Sequence, residues 1–243
     1  DAVKNIKASK GINVDIDHID LNDKKVLDFI GTGKTEGVFQ LESAGMQNFM
    51  KELRPQSFED IVAGISLYRP GPMDFIPDYI KGKNNPQDIH YMTPELESIL
   101  EPTYGCIVYQ EQVMQIVQKL AGYTMGQADN IRRAMSKKKQ YVIDAGRKSF
   151  VYGDEAEGIK GCIANGISEQ AANAIYDSMV DFAKYAFNKS HAAAYAVISV
   201  QTAWLKYYYP VEFMAALMTS VIDNSTKASD RKSTRLNSSH LGI

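Results

Sequence analysis

A chain of 243 residues has room for one large domain or two small ones, and 44% hydrophobic content is enough to bury a core. The formal net charge of -2 gives no whole-protein signal for nucleic acid or a membrane surface, so a polyanion site must come from local clustering of charge. Cys106 and Cys162 match no CxxC pattern, which argues against a zinc site and a disulfide-stapled secreted scaffold and fits a reducing cytoplasm. No apolar run approaches the roughly 18 residues of a spanning helix, and DAVKNIKASKG lacks a signal-peptide core, so the chain reads as neither membrane-bound nor secreted. It opens on Asp1 in what reads as mid-helix, and a piece of a longer protein is expected.

In chain order, DKKVLDFI (23–30) has helical spacing of Val26, Leu27 and Ile30, and GTGKTEG then makes a turn. LESAGMQNFMKEL predicts a second helix and FEDIVAGISL a short third, before YRPGPMDFIP, where three prolines and a glycine predict a rigid, non-helical course. GKNNPQDIHYMTPE reads as a surface loop. A brief β-like GCIVY follows, then a strongly periodic helix with Val113, Ile116, Val117 and Leu120 on one face, ended by Gly122. One more helix carries the basic run, a glycine-rich loop spans YGDEAEGIKGCIANGIS, and ISEQAANAIYDSMVDFAKYAF returns to helix. The last helix is expected from near Ser190 until Pro210 breaks it, with a stripe through Ala193, Ala196, Val197, Val200, Ala203, Trp204 and Tyr207. The fold class expected is mainly α, with minor β content. From Ser225 on, the texture predicts disorder, and DRKSTRLNSSHLGI reads as a non-native scar.

GTGKT (31–35) suggests a phosphate-binding loop, but the motif needs a glycine where Asp28 stands, so a turn is the better reading. IRRAMSKKKQYVIDAGRK (131–148) holds Arg132, Arg133, Lys137, Lys138, Lys139, Arg147 and Lys148 against Asp144 alone. In one helix, Arg133 and Lys137 stack a turn apart, a repulsion of a few tenths of a kcal/mol that a polyphosphate would relieve. A solvated face is the plain alternative. FAKYAFNKSHAAAYA (182–196) starts a helix at a histidine with small residues behind it. Asn188 or Ser190 can cap that start, while Lys189 at the positive end of the helix dipole calls for an anion nearby. Tyr68 and Arg69 project from the stiff YRPGPM turn, and Glu111 offers an ion partner for an arginine. His18, His90 and His191 are scattered, acids such as Asp15, Asp17 and Asp20 read as loop residues, and no catalytic dyad emerges.

Taken together, GVFQLES (37–43), YRPGPM (68–73), EPTYGCIVYQEQVMQI (101–116), RRAMSKKK (132–139) and FNKSHAAAYA (187–196) give a specific likeness. Over nearly all of residues 1–224 the chain resembles the fingers region of the C-family replicative polymerases, the bacterial DNA polymerase III alpha subunits. The resemblance implies residues 1–36 as the end of the palm and its junction, 37–224 as the helical fingers domain, and a template-directed nucleotidyl transfer as the parent's reaction. It implies that Arg132 and Arg133 grip the triphosphate of the incoming deoxynucleotide (dNTP), with Lys137 and Lys138 nearby. It also puts Asn188, Ser190 and His191 against the sugar and phosphates, and Gln40 and Arg69 match family motifs. Ser136 stands where many relatives have glycine. No catalytic residue and no metal ligand is expected in this chain: the aspartates that hold two Mg2+ ions in the complete enzyme are expected upstream of it. The implied partners are primer–template DNA, dNTP, the polymerase's other domains, and the sliding clamp and clamp loader through regions outside this chain. A non-catalytic helical module that binds nucleic acid through residues 131–148 is the alternative of a different class.

Overall fold

The structure, a computed structural model, describes residues 1–183 and 185–220, so the tail expected from Ser225 on lies outside the described residues. The chain divides into two compact units: unit one is Asp1–Gly64 with the residues from Ala193 on, and unit two is Ile65–Ala192. The division falls within helices α4 (Phe58–Leu67) and α11 (Lys189–Tyr208).

Unit one begins with α1 (Ala2–Lys10), which packs on α12 (Pro210–Thr219) through Ile6, Phe213 and Met214. α2 (Lys24–Gly31) starts on Asp23, whose carboxylate accepts the Lys25 and Val26 N–H groups, and it buries Val26, Leu27 and Ile30. α3 (Ala44–Leu53) starts on Ser43 in the same manner and ends as Arg54 turns left-handed. The GVFQLES segment is tied to α11 by two polar contacts: Ser199 Oγ donates to the Phe39 carbonyl at 2.9 Å, and the Phe39 N–H donates to Thr202 Oγ1 at 3.1 Å. The buried Lys206 ammonium is satisfied by the Lys34 and Glu36 carbonyls at 2.8 Å each and by the Glu36 carboxylate at 3.3 Å. Those partners are what make its burial tolerable.

Unit two is built from α5 (Ile76–Asn84), α6 (Glu97–Leu100), α7 (Gln110–Ala121), α8 (Met125–Ser136), α9 (Gln140–Tyr152) and α10 (Glu169–Ala183). The predicted face of α7 is its core face: Val113, Ile116, Val117 and Leu120 are fully buried against Phe150, Tyr176 and neighbours. Each such side chain contributes about 1.5–3 kcal/mol of burial. Gly122, at φ 79, ends α7, as the sequence predicts.

Four expectations need correction. YRPGPMDFIP is not free of helix: Pro72–Phe75 forms a 3-10 turn and α5 starts at Ile76, because Pro77 falls in its first turn, where no intrahelical N–H is needed. The basic run is not one helix. α8 ends at Ser136, Lys138 takes a left-handed φ of 53, and α9 starts at Gln140; Arg133 and Lys137 still stand one turn apart, the Lys137 N–H donating to the Arg133 carbonyl at 3.0 Å, but Arg147 and Lys148 belong to the next helix. α11 is not the last helix, since Pro210 opens α12 rather than closing the fold. GCIVY contributes only an isolated bridge, between Tyr109 and Phe187. The other bridge among the described residues joins Asp154 and Ile159.

Candidate functional site

One junction in unit two, organised by the first turn of α7, gathers most of the residues singled out from the sequence. Gln112 fixes the approach to that turn: its buried side-chain oxygen accepts the Val108 and Tyr109 N–H groups at 2.8 and 2.9 Å, and its Nε2 donates to the Ile99 carbonyl and to Thr103 Oγ1. The Tyr109–Phe187 bridge then brings the segment before α11 alongside. The Phe187 N–H donates to the Val108 carbonyl at 3.3 Å and the Gln110 N–H donates to the Phe187 carbonyl at 2.9 Å. Gln110 and Glu111 project from this junction in two directions.

Gln110 reaches α8. Its Oε1 accepts from Arg132 Nη1 at 2.9 Å, and its Nε2 donates to the Ala186 carbonyl at 3.1 Å. Arg132 also donates from Nε and Nη2 to Asp129 Oδ1 at 3.1 and 2.6 Å, so all three of its nitrogens are engaged and its side chain is only 17% exposed. Arg133 is 64% exposed and uses Nε on Asp129 Oδ2 at 2.7 Å. Hydrogen bonding from Arg132, the charges of both arginines and a hydrogen bond from Arg133 hold the Asp129 carboxyl below the usual carboxylate range, against a smaller desolvation effect. α8 then closes in a Schellman turn: the Lys138 N–H donates to the Met135 carbonyl and the Lys139 N–H to that of Ala134. Lys137, Lys138 and Lys139 are all exposed.

Glu111 reaches the start of α11. Its Oε1 accepts from Asn188 Nδ2 at 3.0 Å and from the Lys189 N–H at 3.2 Å, and its Oε2 accepts from the same N–H at 3.1 Å. Asn188 in turn caps the helix, its Oδ1 accepting the His191 N–H at 2.9 Å. The expected arginine partner of Glu111 is thereby corrected: the carboxylate serves the helix start, where it is the anion that the dipole and Lys189 call for. Ser190 and His191 are exposed on this first turn, and the His191 ring meets the Phe187 ring edge-on at 5.5 Å.

Arg69 braces the same segment from the other side. Its guanidinium lies 4.2 Å from the Phe187 ring centroid, Nη2 donates to the Tyr185 carbonyl at 2.6 Å and Nε to the Ser66 carbonyl at 2.9 Å. Desolvation lowers its pKa from the ordinary guanidinium value, though an arginine remains a cation. The turn that delivers Arg69 passes through Gly71 at φ 101, and a Cβ there would stand 2.5 Å from two carbons of the Tyr185 ring.

Of the residues singled out from the sequence, Arg69, Arg132, Asn188 and His191 are thus joined in one network, with Ser190 on the same helical turn. Arg133 is attached to it through Asp129. Lys137 and Lys138 follow on the exposed turn beyond α8, and the network stops short of them. Gln40 belongs to unit one, where it is exposed at φ 64. Gln110 and Asp129 were not anticipated. Asp129 was legible, standing three and four positions before the arginines on one helical face; Gln110 was not, because its partners are 22 and 76 residues away. Among the described residues no group of three or more His, Cys, Asp or Glu side chains could hold a metal ion.

Comparison with known proteins agrees with the resemblance. The chain is 46% identical over 225 residues to the DNA polymerase III subunit alpha of Halalkalibacterium halodurans and 47% identical over 224 residues to that of Bacillus subtilis, covering 93% and 92% of this chain. To the Helicobacter pylori protein of the same name it is 50% identical over 222 residues, 90% of the chain. It spans 18–19% of the length of these relatives. The family described as the bacterial DNA polymerase III alpha subunit finger domain matches residues 1–158, and with that match and these identities the chain belongs to that family.

Proposed function

We propose that this chain is the part of a DNA-directed DNA polymerase that receives the triphosphate of the incoming dNTP. In this reading residues 1–36 close the palm and 37–224 form the fingers. The primer 3′-hydroxyl attacks the α-phosphorus, the bond from that phosphorus to the bridging oxygen breaks, and pyrophosphate leaves. The fingers supply positive charge to the β- and γ-phosphates as negative charge gathers on the leaving group. Arg133, with Nε engaged and its side chain 64% exposed, and Lys137 and Lys138 on the turn beyond it are the donors to the phosphates. Arg132 holds α8 to the α7 junction and offers its remaining N–H groups. Asn188, Ser190 and His191 face the sugar and phosphates, and Arg69 supports them through Phe187.

The observation that carries this reading is the convergence of Arg132, Arg69 and the start of α11 on one junction in unit two. Mg2+ belongs, in this proposal, to carboxylates of the longer protein. Primer–template DNA, the other polymerase domains, the sliding clamp and the clamp loader are the proposed partners of the longer protein, and the cytoplasm its compartment. No helix among the described residues is long and apolar enough to cross a membrane. The test is single-nucleotide insertion by the complete polymerase carrying Arg133→Ala. Loss of one charge-assisted phosphate contact, about 1.5–3 kcal/mol, lowers kcat/KM for dNTP about 10- to 150-fold with duplex affinity unchanged. Loss of duplex affinity with intact nucleotide kinetics would instead support the non-catalytic nucleic-acid-binding module, which the three exposed lysines also suit.

A further inference from the structure

We infer that Gln110 and Glu111 are a pair of positioning residues that set the two halves of this site in register: Gln110 aims the α8 arginine and Glu111 aims the first turn of α11. This rests on the nucleotide reading above. Neither side chain is needed to cap its own helix, because Gln112 already occupies the Tyr109 N–H. Each is instead spent on a different element. Gln110 must both accept and donate, taking the Arg132 Nη1 hydrogen and giving one to the Ala186 carbonyl, and among side chains of that length only an amide does both. Glu111 must only accept. Its three contacts come from the Asn188 amide and the Lys189 N–H, and by holding Asn188 Nδ2 it leaves Asn188 Oδ1 turned toward the His191 N–H. The amide of Asn188 is therefore fixed at both ends, and with it the place of His191. Because Gln110 and Glu111 are adjacent in sequence, a movement of the first turn of α7 shifts Arg132 and His191 together.

Isosteric swaps test this without opening a cavity. Gln110→Glu keeps the acceptor for Arg132 but sets a carboxylate oxygen against the Ala186 carbonyl. Glu111→Gln leaves one acceptor oxygen and turns an NH2 toward donors. In the complete polymerase, each should raise the KM for dNTP about 10- to 100-fold, the loss expected when one charge-assisted contact goes, with kcat reduced less and primer–template Kd within about twofold. In the 243-residue chain, amide hydrogen exchange at Lys189 and His191 should quicken at least tenfold in Glu111→Gln.

If Arg133→Ala impairs dNTP use while both swaps behave as the parent, the positioning inference is wrong and the nucleotide reading stands. If Arg133→Ala has no effect on dNTP use, the nucleotide reading is wrong, and amide exchange alone then decides whether Glu111 orders the helix start. A loss of melting temperature with kcat and duplex affinity falling together and the KM for dNTP unchanged would mark the pair as merely structural and overturn the inference.

Discussion

Replacing Asn188 by aspartate separates two roles that alanine removes together. As N-caps, Asn, Asp and Ser are nearly equal, and an acid at a helix start gains a further 0.3–1 kcal/mol or so from the dipole, so capping alone makes Asn188→Asp at least as stable as Asn188→Ser. The structure reverses that order. Asn188 Nδ2 donates to Glu111 Oε1 at 3.0 Å, and aspartate sets a second anionic oxygen at that distance. Two unit charges 3.0 Å apart repel by about 1.4 kcal/mol in water and about 5.5 kcal/mol at an effective dielectric near 20. Asn188 is exposed and the carboxylates can turn apart, so the aqueous end applies. Subtracting the dipole gain leaves Asn188→Asp about 0.4–1.1 kcal/mol less stable than Asn188→Ser. Urea unfolding in low salt reads the difference as a shift in midpoint at constant slope. The gap should shrink in 0.5 M salt and reverse sign in a Glu111→Gln background. An aspartate variant as stable as the serine variant in both backgrounds would refute the placement of Glu111 at this helix start.

Three further outcomes are expected. Gly71→Ala should destabilise by about 1–3 kcal/mol, from a disallowed φ and a displaced Tyr185 ring, offset slightly by lost unfolded-state entropy; Gly158→Ala, at φ 69 with nothing within 4 Å, should cost about 0.5–1 kcal/mol, and urea unfolding of the two side by side checks the difference. Burial pushes the Cys106 and Cys162 thiols up to about 12, so both should resist alkylation at pH 8 in the folded chain and react on unfolding. Because these pKa values are raised on folding, the associated stability is complete below the ordinary thiol value near 9 and is lost as pH rises toward 12, which a base titration of the melting temperature reads. In the complete polymerase, His191→Ala should narrow the kcat/KM preference for deoxynucleotides over ribonucleotides, because a ring braced edge-on by Phe187 cannot yield to a 2′-hydroxyl; an unchanged ratio with a lower melting temperature returns His191 to a purely structural role.

Helices whose pattern is local were legible. α2, α4 and α7 begin and end within a few residues of where apolar spacing and Gly122 put them, because a capping carboxylate, a buried stripe and a left-handed glycine are all sequence-adjacent. Two of the errors came from proline. A proline in the first turn of a helix sacrifices no hydrogen bond, so Pro77 and Pro210 start helices, although the same residue in mid-helix would break one. The break at Lys138 was hidden for the opposite reason. Lysine carries no turn signal, and its left-handed φ is set by the Schellman turn that closes α8.

At the site, charge was legible and its pairing was not. Counting seven cations against one acid over 131–148 left out Asp129, two residues upstream, which engages both arginines. The lysines that follow sit at the C-terminal end of α8, where the dipole favours cations with no ligand present. The basic run is therefore electrostatically stable by itself, and the strain of like charges that first suggested a polyphosphate is largely relieved inside the protein. What supports a bound triphosphate is therefore not the charge of the run but the ordering of its arginines at the junction. There Glu111 occupies the first N–H of α11, Asn188 takes that of His191, and Arg133, its side chain largely exposed, stands beside a fixed Arg132. In the proposed reading the donors left to a nucleotide are those of Arg133 and the exposed Lys137 and Lys138, beside an Arg132 that is already oriented, so part of the ordering cost is met in folding and not in binding.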